Sequence, residues 1–388
     1  KLVSTNSKVS PKITILKSEN RIPWSGHSPR YALSDIYLEV IKFKSSILFV
    51  NTRAQAEILF ESLWAINNKN KKIAIHHGSL EKDLRKKVER EIVDGHIECV
   101  VATSSLDLGL DWGNIDLVMQ IGAPKGVARL IQRIGRANHT INTPSRAILV
   151  PTNCFEFVEC IAAKECIKLN LLEDEQYSEG SLDVLAQHIV GVAISKKFKK
   201  EELYKQVKKA WPYRNLNEED FEKTLSFVEN GGYSLQGYEE YSRLKRDGEY
   251  FKIKDKSLIT KYRMNVGTIV EAEMLRLRVS NRYLGNIEEW FINGLSAGDT
   301  FIFAGKRLMF EKVVGNIAYA KITALDHQKI PSFKGGNLPL STHLSKSVRK
   351  IFSKQLDRVD LPDSLKKWSN LQSKFSSFPK ENELLVET

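Results

Sequence analysis

Two arginines stand close together in the stretch IQRIGRANH, residues 131–139. On one helical turn, Arg133 and Arg136 would face the same side, so their permanently charged planar guanidinium groups could bind one polyphosphate together. Gly135 leaves space beside them. A surface ion-pair cluster is the commoner role of such a pair, and it is the neighbouring segments that favour phosphate binding here.

The segments around these arginines alternate between short apolar runs, such as SILFV, and longer amphipathic runs. The short runs are typical of buried strands and the longer runs of helices. The predicted strands are residues 46–50, 73–76, 98–102, 116–121 and 146–150, and the predicted helices are residues 31–43, 54–64, 80–93, 127–136 and 155–166. Strands separated by helices predict an α/β fold with a doubly wound parallel sheet.

Small polar residues follow three of the predicted strands. The triplets are Asn51-Thr52-Arg53, His77-Gly78-Ser79 and Thr103-Ser104-Ser105. In a parallel sheet these loops meet at the carboxyl edge, where ligands bind, and backbone N–H groups at helix starts suit phosphate oxygens. Each triplet alone is an ordinary helix cap, but three on one edge favour a phosphate-binding surface.

The segment VATSSLDLGLDWGNID, residues 101–116, places Gly109 and Asp111 shortly before the arginine pair. A nucleotide at this edge needs a carboxylate for its ribose hydroxyls and arginines for its terminal phosphate. Asp111 and the two arginines could supply both, although a local turn carboxylate is the alternative role for Asp111.

The composition narrows the class of protein. The chain has 388 residues with a formal net charge of +12, which favours polyanionic partners without separating DNA from RNA. The four cysteines show no metal-ligand spacing and predict reduced core thiols, so no metal site is expected. No apolar run approaches the roughly 20 residues that span a bilayer, so we expect no membrane partner and a cytoplasmic location.

These motifs resemble those of the second RecA-like domain of superfamily 2 helicases. ILFVNTRAQAE is similar to helicase motif IV, VATSSLDLGLD to motif V and QRIGRANH to motif VI. Within the superfamily, the segments IPWSGH, HHGS and GAPKG resemble the large helicase-related (Lhr) family, in particular the bacterial ligase-associated DEXH-box DNA helicases. His139 replaces the third arginine of the usual motif VI, as in Lhr-type proteins.

The resemblance assigns roles to individual residues. It implies that Arg136 is the arginine finger on the ATP γ-phosphate and that Arg133 shares this catalytic motif. The ATP-binding residues that it implies are Gln132, Gly109 and Asp111. The DNA-binding residues that it implies are Arg53, Gly78, Thr103 and, in a P-x-aromatic-x-G stretch of a later domain, Phe333, for which a buried core aromatic is the alternative.

The first half of a helicase motor is not encoded here. The sequence contains neither a phosphate loop G-x-x-x-x-G-K-S/T nor a DEXH segment, and Gly305-Lys306 does not complete such a loop. We therefore expect the Mg²⁺ that accompanies ATP to be held by the missing first RecA-like domain, and we expect this chain not to hydrolyse ATP alone. The start without Met indicates a fragment.

Three domains are predicted. Residues 1–172 form the second RecA-like domain, residues 173–260 a winged-helix domain with a Gly-Gly turn before its strand, and residues 261–388 a β-rich DNA-binding domain that is incomplete. The QHIVGVA and WPYR segments resemble the winged helix that follows the helicase core in the same family.

The resemblance implies the carboxy-terminal part of an ATP-dependent 3′–5′ DNA helicase that acts in DNA repair. It implies single-stranded DNA, or a duplex with a 3′ tail, as the substrate, and a DNA ligase and a metallophosphoesterase nuclease as partners. Two alternatives remain open from the sequence. One is a DNA-binding remnant without catalysis, and the other is a segment of an RNA helicase, because motifs IV to VI are shared across the superfamily and backbone contacts do not reveal the sugar.

Overall fold

The computed structural model describes residues 10–107, 115–137, 144–173, 179–232, 241–264, 274–325, 329, 331, 340–354 and 360–387. Contacts divide the chain into two compact units. The first unit combines residues 1–173 with residues 272–388, and the second consists of residues 174–271. No described helix is both long and apolar enough to span a membrane.

The first unit contains a parallel six-stranded sheet with strand order β1-β6-β5-β2-β4-β3. Its strands are β1 (Lys12–Ile15), β2 (Ser46–Phe49), β3 (Ile73–His76), β4 (Cys99–Ala102), β5 (Leu117–Ile121) and β6 (Arg146–Val150). The helices between them are α1 (Leu33–Ile41), α2 (Arg53–Ala65), α3 (Lys82–Val93), α4 (Val127–Ile134) and α5 (Cys154–Lys168). This sheet confirms the predicted doubly wound α/β fold, and each predicted element is present within a few residues.

Strand β1 was not predicted. Its residues KITI lie in the Lys-rich lead, and only Ile13 is buried. The strand pairs parallel to β6 at the edge of the sheet. A four-residue edge strand buries too little for its hydrophobic pattern to stand out from a polar segment.

A five-stranded sheet completes the first unit, with order β11-β10-β14-β13-β12. Its strands are β10 (Met274–Val279), β11 (Arg282–Glu288), β12 (Thr300–Phe303), β13 (Lys306–Val314) and β14 (Ile317–Ile322). One face of this sheet, including Leu277, Phe301 and Phe303, shares a single hydrophobic core with Leu59 and Leu63 of α2. The two sheets therefore belong to one packed body.

Glu57 fastens this second sheet to the first. Its side chain is fully buried and accepts hydrogen bonds from the backbone N–H groups of Ala304 at 2.6 Å and Gly305 at 2.8 Å. The same carboxylate lies 2.9 Å from Nε2 of His77. One buried carboxylate thus joins α2, the loop after β3 and the β12–β13 turn.

Helices, not strands, occupy the carboxy-terminal part of the region expected to be β-rich. Alternating polar and apolar residues are expected in this region from the sequence. Leu344, Val348 and Ile351 instead repeat at helical spacing and face α5. They belong to a helix at Thr342–Lys354, which a second helix at Asp363–Phe375 follows. The other helix near the five-stranded sheet is the short Glu289–Asn293.

The second unit is a winged-helix domain, as predicted. Its helices are α6 (Leu182–Ser195), α7 (Lys200–Val207), α8 (Glu218–Asn230) and α9 (Ser257–Met264), and its strands are β7 (Phe198–Lys199), β8 (Leu244–Asp247) and β9 (Tyr250–Ile253). We number the later helices α10 (Glu289–Asn293), α11 (Thr342–Lys354) and α12 (Asp363–Phe375).

The hairpin turn of this domain lies later than the sequence predicted. Gly231 ends α8 in the left-handed region at φ 82°, so the Gly-Gly pair terminates a helix. The turn that joins β8 to β9 instead contains Gly248, at φ 62°. Phe221 and Phe251 pack in the core beneath this hairpin.

Candidate nucleotide and nucleic-acid site

The carboxyl ends of β2, β4 and β3 lie level with one another. Phe49 pairs with Ala102, and Ala102 pairs with His76, so the loops after these strands emerge at one edge. Thr52 caps α2 and Gln55 completes a reciprocal capping box. The side chains that follow the strands are therefore brought to a common surface.

Arg53 and Gly78 are neighbours on this surface. A Cβ placed on Gly78 would lie 3.8 Å from Nη2 of Arg53, so the glycine leaves the guanidinium uncovered on that side. Burial lowers the pKa of Arg53, and the nearby carboxylate of Glu288 at the end of β11 partly restores it. Two residues predicted to hold the DNA backbone are thus adjacent.

Thr103 is held by a polar network behind the same edge. Its backbone N–H donates to the carbonyl of His76 at 3.2 Å, and its hydroxyl lies 3.4 Å from the hydroxyl of Ser105. His76 is buried, with Nδ1 at 2.8 Å from Ser105 Oγ and Nε2 at 3.1 Å from Glu89. Burial lowers the pKa of His76, and Glu89 opposes this shift. This network fixes the orientation of Thr103.

Arg133 and Arg136 both reach Asp107, which follows the 3₁₀ turn after β4. Arg133 is 3% exposed and donates through Nε to Asp107 Oδ1 at 2.8 Å and through Nη1 to Gln120 Oε1 at 2.6 Å. Burial lowers its pKa, and the hydrogen bond to Asp107 opposes this. Its guanidinium carbon also lies 4.9 Å from the ring centroid of Phe49.

Arg136 lies just beyond the end of α4 and differs from Arg133 in exposure. Its side chain is half-buried, and Nη2 donates to the backbone carbonyl of Asp107 at 2.7 Å. Gln132 is exposed on α4. Arg133 is therefore directed into the protein, whereas Arg136 and Gln132 remain nearer the surface.

Four of the predicted positions cannot be placed. Gly109, Asp111, His139 and Phe333 lie outside the described residues. Their roles remain predictions from the sequence.

Three polar residues of this site were not identified from the sequence. Asp107 stands in the same segment as Asp111, and only the fold shows that it meets the arginines. Gln120 is a polar residue in the otherwise apolar strand LVMQI. A polar side chain in a buried strand needs a hydrogen-bond partner, and this requirement could have identified Gln120 from the sequence. Glu57 carried no signal, because it lies among the polar residues of an amphipathic helix.

The IPWSGH segment closes one end of the edge. The carbonyl of Gly26 accepts hydrogen bonds from Thr152 Oγ1 at 3.3 Å and Asn153 Nδ2 at 2.9 Å. His27 Nδ1 lies 3.3 Å from the buried carboxylate of Glu156. These contacts tie the segment to the start of α5.

The cysteines have no part in this site. Cys99, Cys154, Cys160 and Cys166 are free and buried, which confirms the prediction of core thiols. Burial raises the pKa of Cys99 to about 12. Within the ranges that the structure describes, no group of three or more His, Cys, Asp or Glu residues has metal-binding geometry.

Two family models match the chain. Residues 30–140 match the helicase conserved C-terminal domain, and residues 165–330 match the winged-helix domain of large helicase-related protein.

Curated relatives support the same assignment. The ATP-dependent helicase Lhr-Core of Methanocaldococcus jannaschii is 30% identical over 357 residues, covering 89% of this chain and 42% of the relative. Lhr-Core protein 2 of Thermococcus barophilus is 32% identical over 365 residues, again with 89% and 42% coverage. The chain thus spans less than half the length of these relatives.

Solved structures share the fold. The structure of Mycobacterium smegmatis helicase Lhr bound to ssDNA and AMP-PNP is 27% identical, with a TM-score of 0.57 over 69% of this chain and 35% of that chain. The DUF1998 helicase MrfA bound to DNA and AMPPNP is 19% identical with a TM-score of 0.56, over 84% of this chain and 44% of that chain. The second likeness shows the fold alone.

Proposed function

Because the chain belongs to the large helicase-related (Lhr) family of helicases, we propose that it forms the second motor domain and the strand-binding part of an ATP-dependent DNA helicase. The proposed enzyme moves 3′ to 5′ along one strand and acts in DNA repair in the cytoplasm. Its substrate is single-stranded DNA or a duplex with a 3′ tail. A DNA ligase and a metallophosphoesterase nuclease are its proposed partners.

The position of Arg136 carries this proposal. The side chain donates a hydrogen bond to the Asp107 carbonyl and is half-buried just beyond the end of α4. A cation held in this way can neutralise charge that develops on a transferred phosphoryl group. We therefore propose Arg136 as the arginine finger.

Arg133 supports this finger as a positioning residue. Its buried guanidinium binds the carboxylate of Asp107, whose backbone carbonyl accepts the hydrogen bond from Arg136. Gln132, Gly109 and Asp111 are proposed to contact the nucleotide at the same edge.

The strand is held by the other half of the edge. Arg53 supplies a cation, Gly78 allows the backbone of the strand to approach, and Thr103 offers an oriented hydroxyl. Phe333 is proposed to stack on a base. ATP supplies the phosphoryl group, and its Mg²⁺ is held by the first RecA-like domain. Closure of the two motor domains on ATP brings Arg136 to the phosphates, and hydrolysis reopens them.

The test is DNA-stimulated ATP hydrolysis by this chain mixed with a separately supplied first RecA-like domain of an Lhr relative. We expect activity in the mixture, and we expect Arg136→Ala to lower the turnover rate by about 10³-fold, the lower limit for an arginine finger. Arg90→Ala is the matched control, because Arg90 is an exposed arginine on α3 whose Nε likewise donates to a backbone carbonyl, that of Lys86, at 3.3 Å.

Arg90→Ala should keep the turnover rate within a few fold of the unchanged chain. Equal losses in both variants would show a general charge effect and would remove Arg136 as the finger. A mixture that binds single-stranded DNA without hydrolysing ATP would replace the helicase with a DNA-binding remnant. Equal stimulation by RNA and DNA of one sequence would contradict the choice of DNA.

A further inference from the structure

The five-stranded sheet has one buried face and one outward face. Leu275, Leu277 and Val279 of β10 lie in the core shared with the six-stranded sheet. Between them, Arg276 is exposed and Arg278 is half-buried, so β10 directs both arginines to the opposite face. This outward face belongs to a different sheet from the strand ends that precede Arg53, Gly78 and Thr103.

Aromatic and cationic residues alternate in one line across this face. Arg278 of β10 pairs in register with Tyr283 of β11 on one side and with Tyr319 of β14 on the other, and Tyr319 pairs with Lys312 of β13. We call Tyr283, Arg278, Tyr319 and Lys312 the cross-strand row. Residues directly opposite one another on neighbouring strands share a face, so the four side chains form a continuous strip.

The two aromatic rings of the cross-strand row are separated by the strand that carries Arg278. Strands lie about 4.8 Å apart, so the two tyrosines, on strands separated by one strand, are about 10 Å apart. Lys312 Nζ lies 5.9 Å from the ring centroid of Tyr319, and the hydroxyl of Tyr283 is hydrogen-bonded to Asn286. Each ring therefore has a cation as its neighbour along the row.

The charge of this face is positive. Arg276 and Lys321 lie beside the row, and the carboxylate of Glu311 is 3.6 Å from Lys321. Within the described residues, neither Arg276 nor Arg278 forms an ion pair. Cations without carboxylate partners attract polyanions. Aromatic rings on the same sheet favour a polyanion with exposed bases that can stack on them.

We propose that the cross-strand row binds single-stranded nucleic acid, with one base stacked on Tyr319, one on Tyr283, and the cations on the intervening phosphates. A duplex does not fit this chemistry, because its base faces are covered by neighbouring bases. This inference rests on the proposed function for the origin of the strand, and it adds a second set of strand-binding residues, which lie on the five-stranded sheet.

The alternative role for the cross-strand row is to keep the sheet soluble and to prevent aggregation. That role would require charged side chains but no aromatic rings. Both tyrosines remain accessible enough to meet a ligand, since Tyr283 is 39% exposed and Tyr319 half-buried. The contribution of the rings to binding therefore separates a strand-binding surface from a solvated charged face.

The first experiment measures binding of the full 388-residue chain to a fluorescent single-stranded oligonucleotide, without ATP. We expect Tyr319→Ala to weaken binding by about tenfold, within the range found when a stacking aromatic is removed. Tyr319→Phe should bind like the unchanged chain, because it keeps the ring. Phe375→Ala is the matched control, since Phe375 is 77% exposed and Lys374 Nζ lies 5.4 Å from its ring centroid.

An abasic oligonucleotide of equal length tests stacking directly. The loss caused by Tyr319→Ala should disappear with this ligand, because it offers phosphates and no bases. An equal loss on both ligands, or a loss in Phe375→Ala as large as in Tyr319→Ala, would overturn the proposal. Thermal unfolding of each variant shows whether the fold is intact, and Arg278→Gln provides a second variant if Tyr319→Ala does not fold.

The second experiment measures the dependence of binding on salt. Removal of one phosphate contact should reduce the slope of log affinity against log salt by about 0.7 for a single strand. We expect this change in Arg278→Gln and in Lys312→Gln, with DNA and RNA arms identifying the preferred sugar. Unchanged slopes in both variants would show that the cations of the cross-strand row do not bind phosphates and would overturn the proposal. Both experiments omit ATP, so their results do not depend on the ATPase test of the proposed function. A failure of the proposed function can therefore be told apart from a failure of this inference.

Discussion

The chemistry of single residues depends on where their charges are compensated. Arg133 and Arg136 are the same residue type in one short segment, yet Arg133 is buried against Asp107 and Gln120, whereas Arg136 is half-buried and donates to the backbone carbonyl of Asp107. A buried guanidinium needs a carboxylate partner, because an uncompensated buried charge costs several kcal/mol. The sequence showed the arginines, but only the fold identified Asp107 as the carboxylate partner of Arg133.

His76 gives a prediction at the same scale. Burial lowers its pKa from the usual 6.5, so below about pH 6.5 the unfolded chain binds a proton that the folded chain does not. We therefore expect stability to fall as the pH is lowered through 6.5, and His76→Gln to reduce this fall. Urea unfolding at pH 7.5 and pH 5.5 measures the difference. The control is His96→Gln, whose side chain is 62% exposed, and an equal pH dependence in unchanged and His76→Gln chains would contradict the expectation.

At the scale of elements, the strength of the hydrophobic pattern decided what could be predicted. The buried strands β2, β4 and β5 are mostly apolar, and the helices between them are amphipathic, so their order and the parallel sheet followed from the sequence. The edge strand β1 and helix α11 were missed, since the first buries one residue and the second follows a turn-rich stretch. The contact between the two sheets has no local signal, because it joins residues far apart in the chain.

Gly285 on β11 tests that contact between sheets. It adopts φ +152°, and a Cβ there would lie 2.0 Å from the backbone oxygen of Ser79, which cannot move aside as a side chain could. We expect Gly285→Ala to lower the free energy of unfolding by about 1–3 kcal/mol more than a control glycine does. Gly298→Ala is that control, with φ +96° and nothing within 4 Å of the added Cβ. Chemical denaturation of both variants measures the difference, and equal losses would show that the two sheets do not press together at this point.

At the scale of the whole molecule, the six-stranded sheet cannot be separated from the five-stranded one without exposing core. Leu59 and Leu63 of α2 pack in one cluster with Leu277, Phe301 and Phe303. The first unit therefore includes residues on both sides of the winged-helix unit in the sequence.

Two deletions test this statement. A chain that ends at residue 173 should expand and bind a hydrophobic dye, because it loses one wall of its core. A chain in which a flexible Gly-Ser linker replaces residues 174–271 should stay compact, because it keeps both parts of the first unit. Size-exclusion chromatography and dye fluorescence compare the two, and cooperative unfolding of the shorter chain at the midpoint of the full chain would refute a shared core.

The first unit consists of two chain segments, and this division sets the order in which the two units can fold during synthesis on the ribosome. Residues 10–173 are synthesised before residues 274–322, so their core stays open until β10 to β14 have emerged, after the entire winged-helix unit. At roughly 5–20 residues per second, this delay lasts several seconds. The winged-helix unit, with all of its core in one continuous segment, can fold in that interval. The amino-terminal segment of the first unit thus completes its core only after the winged-helix unit has been made.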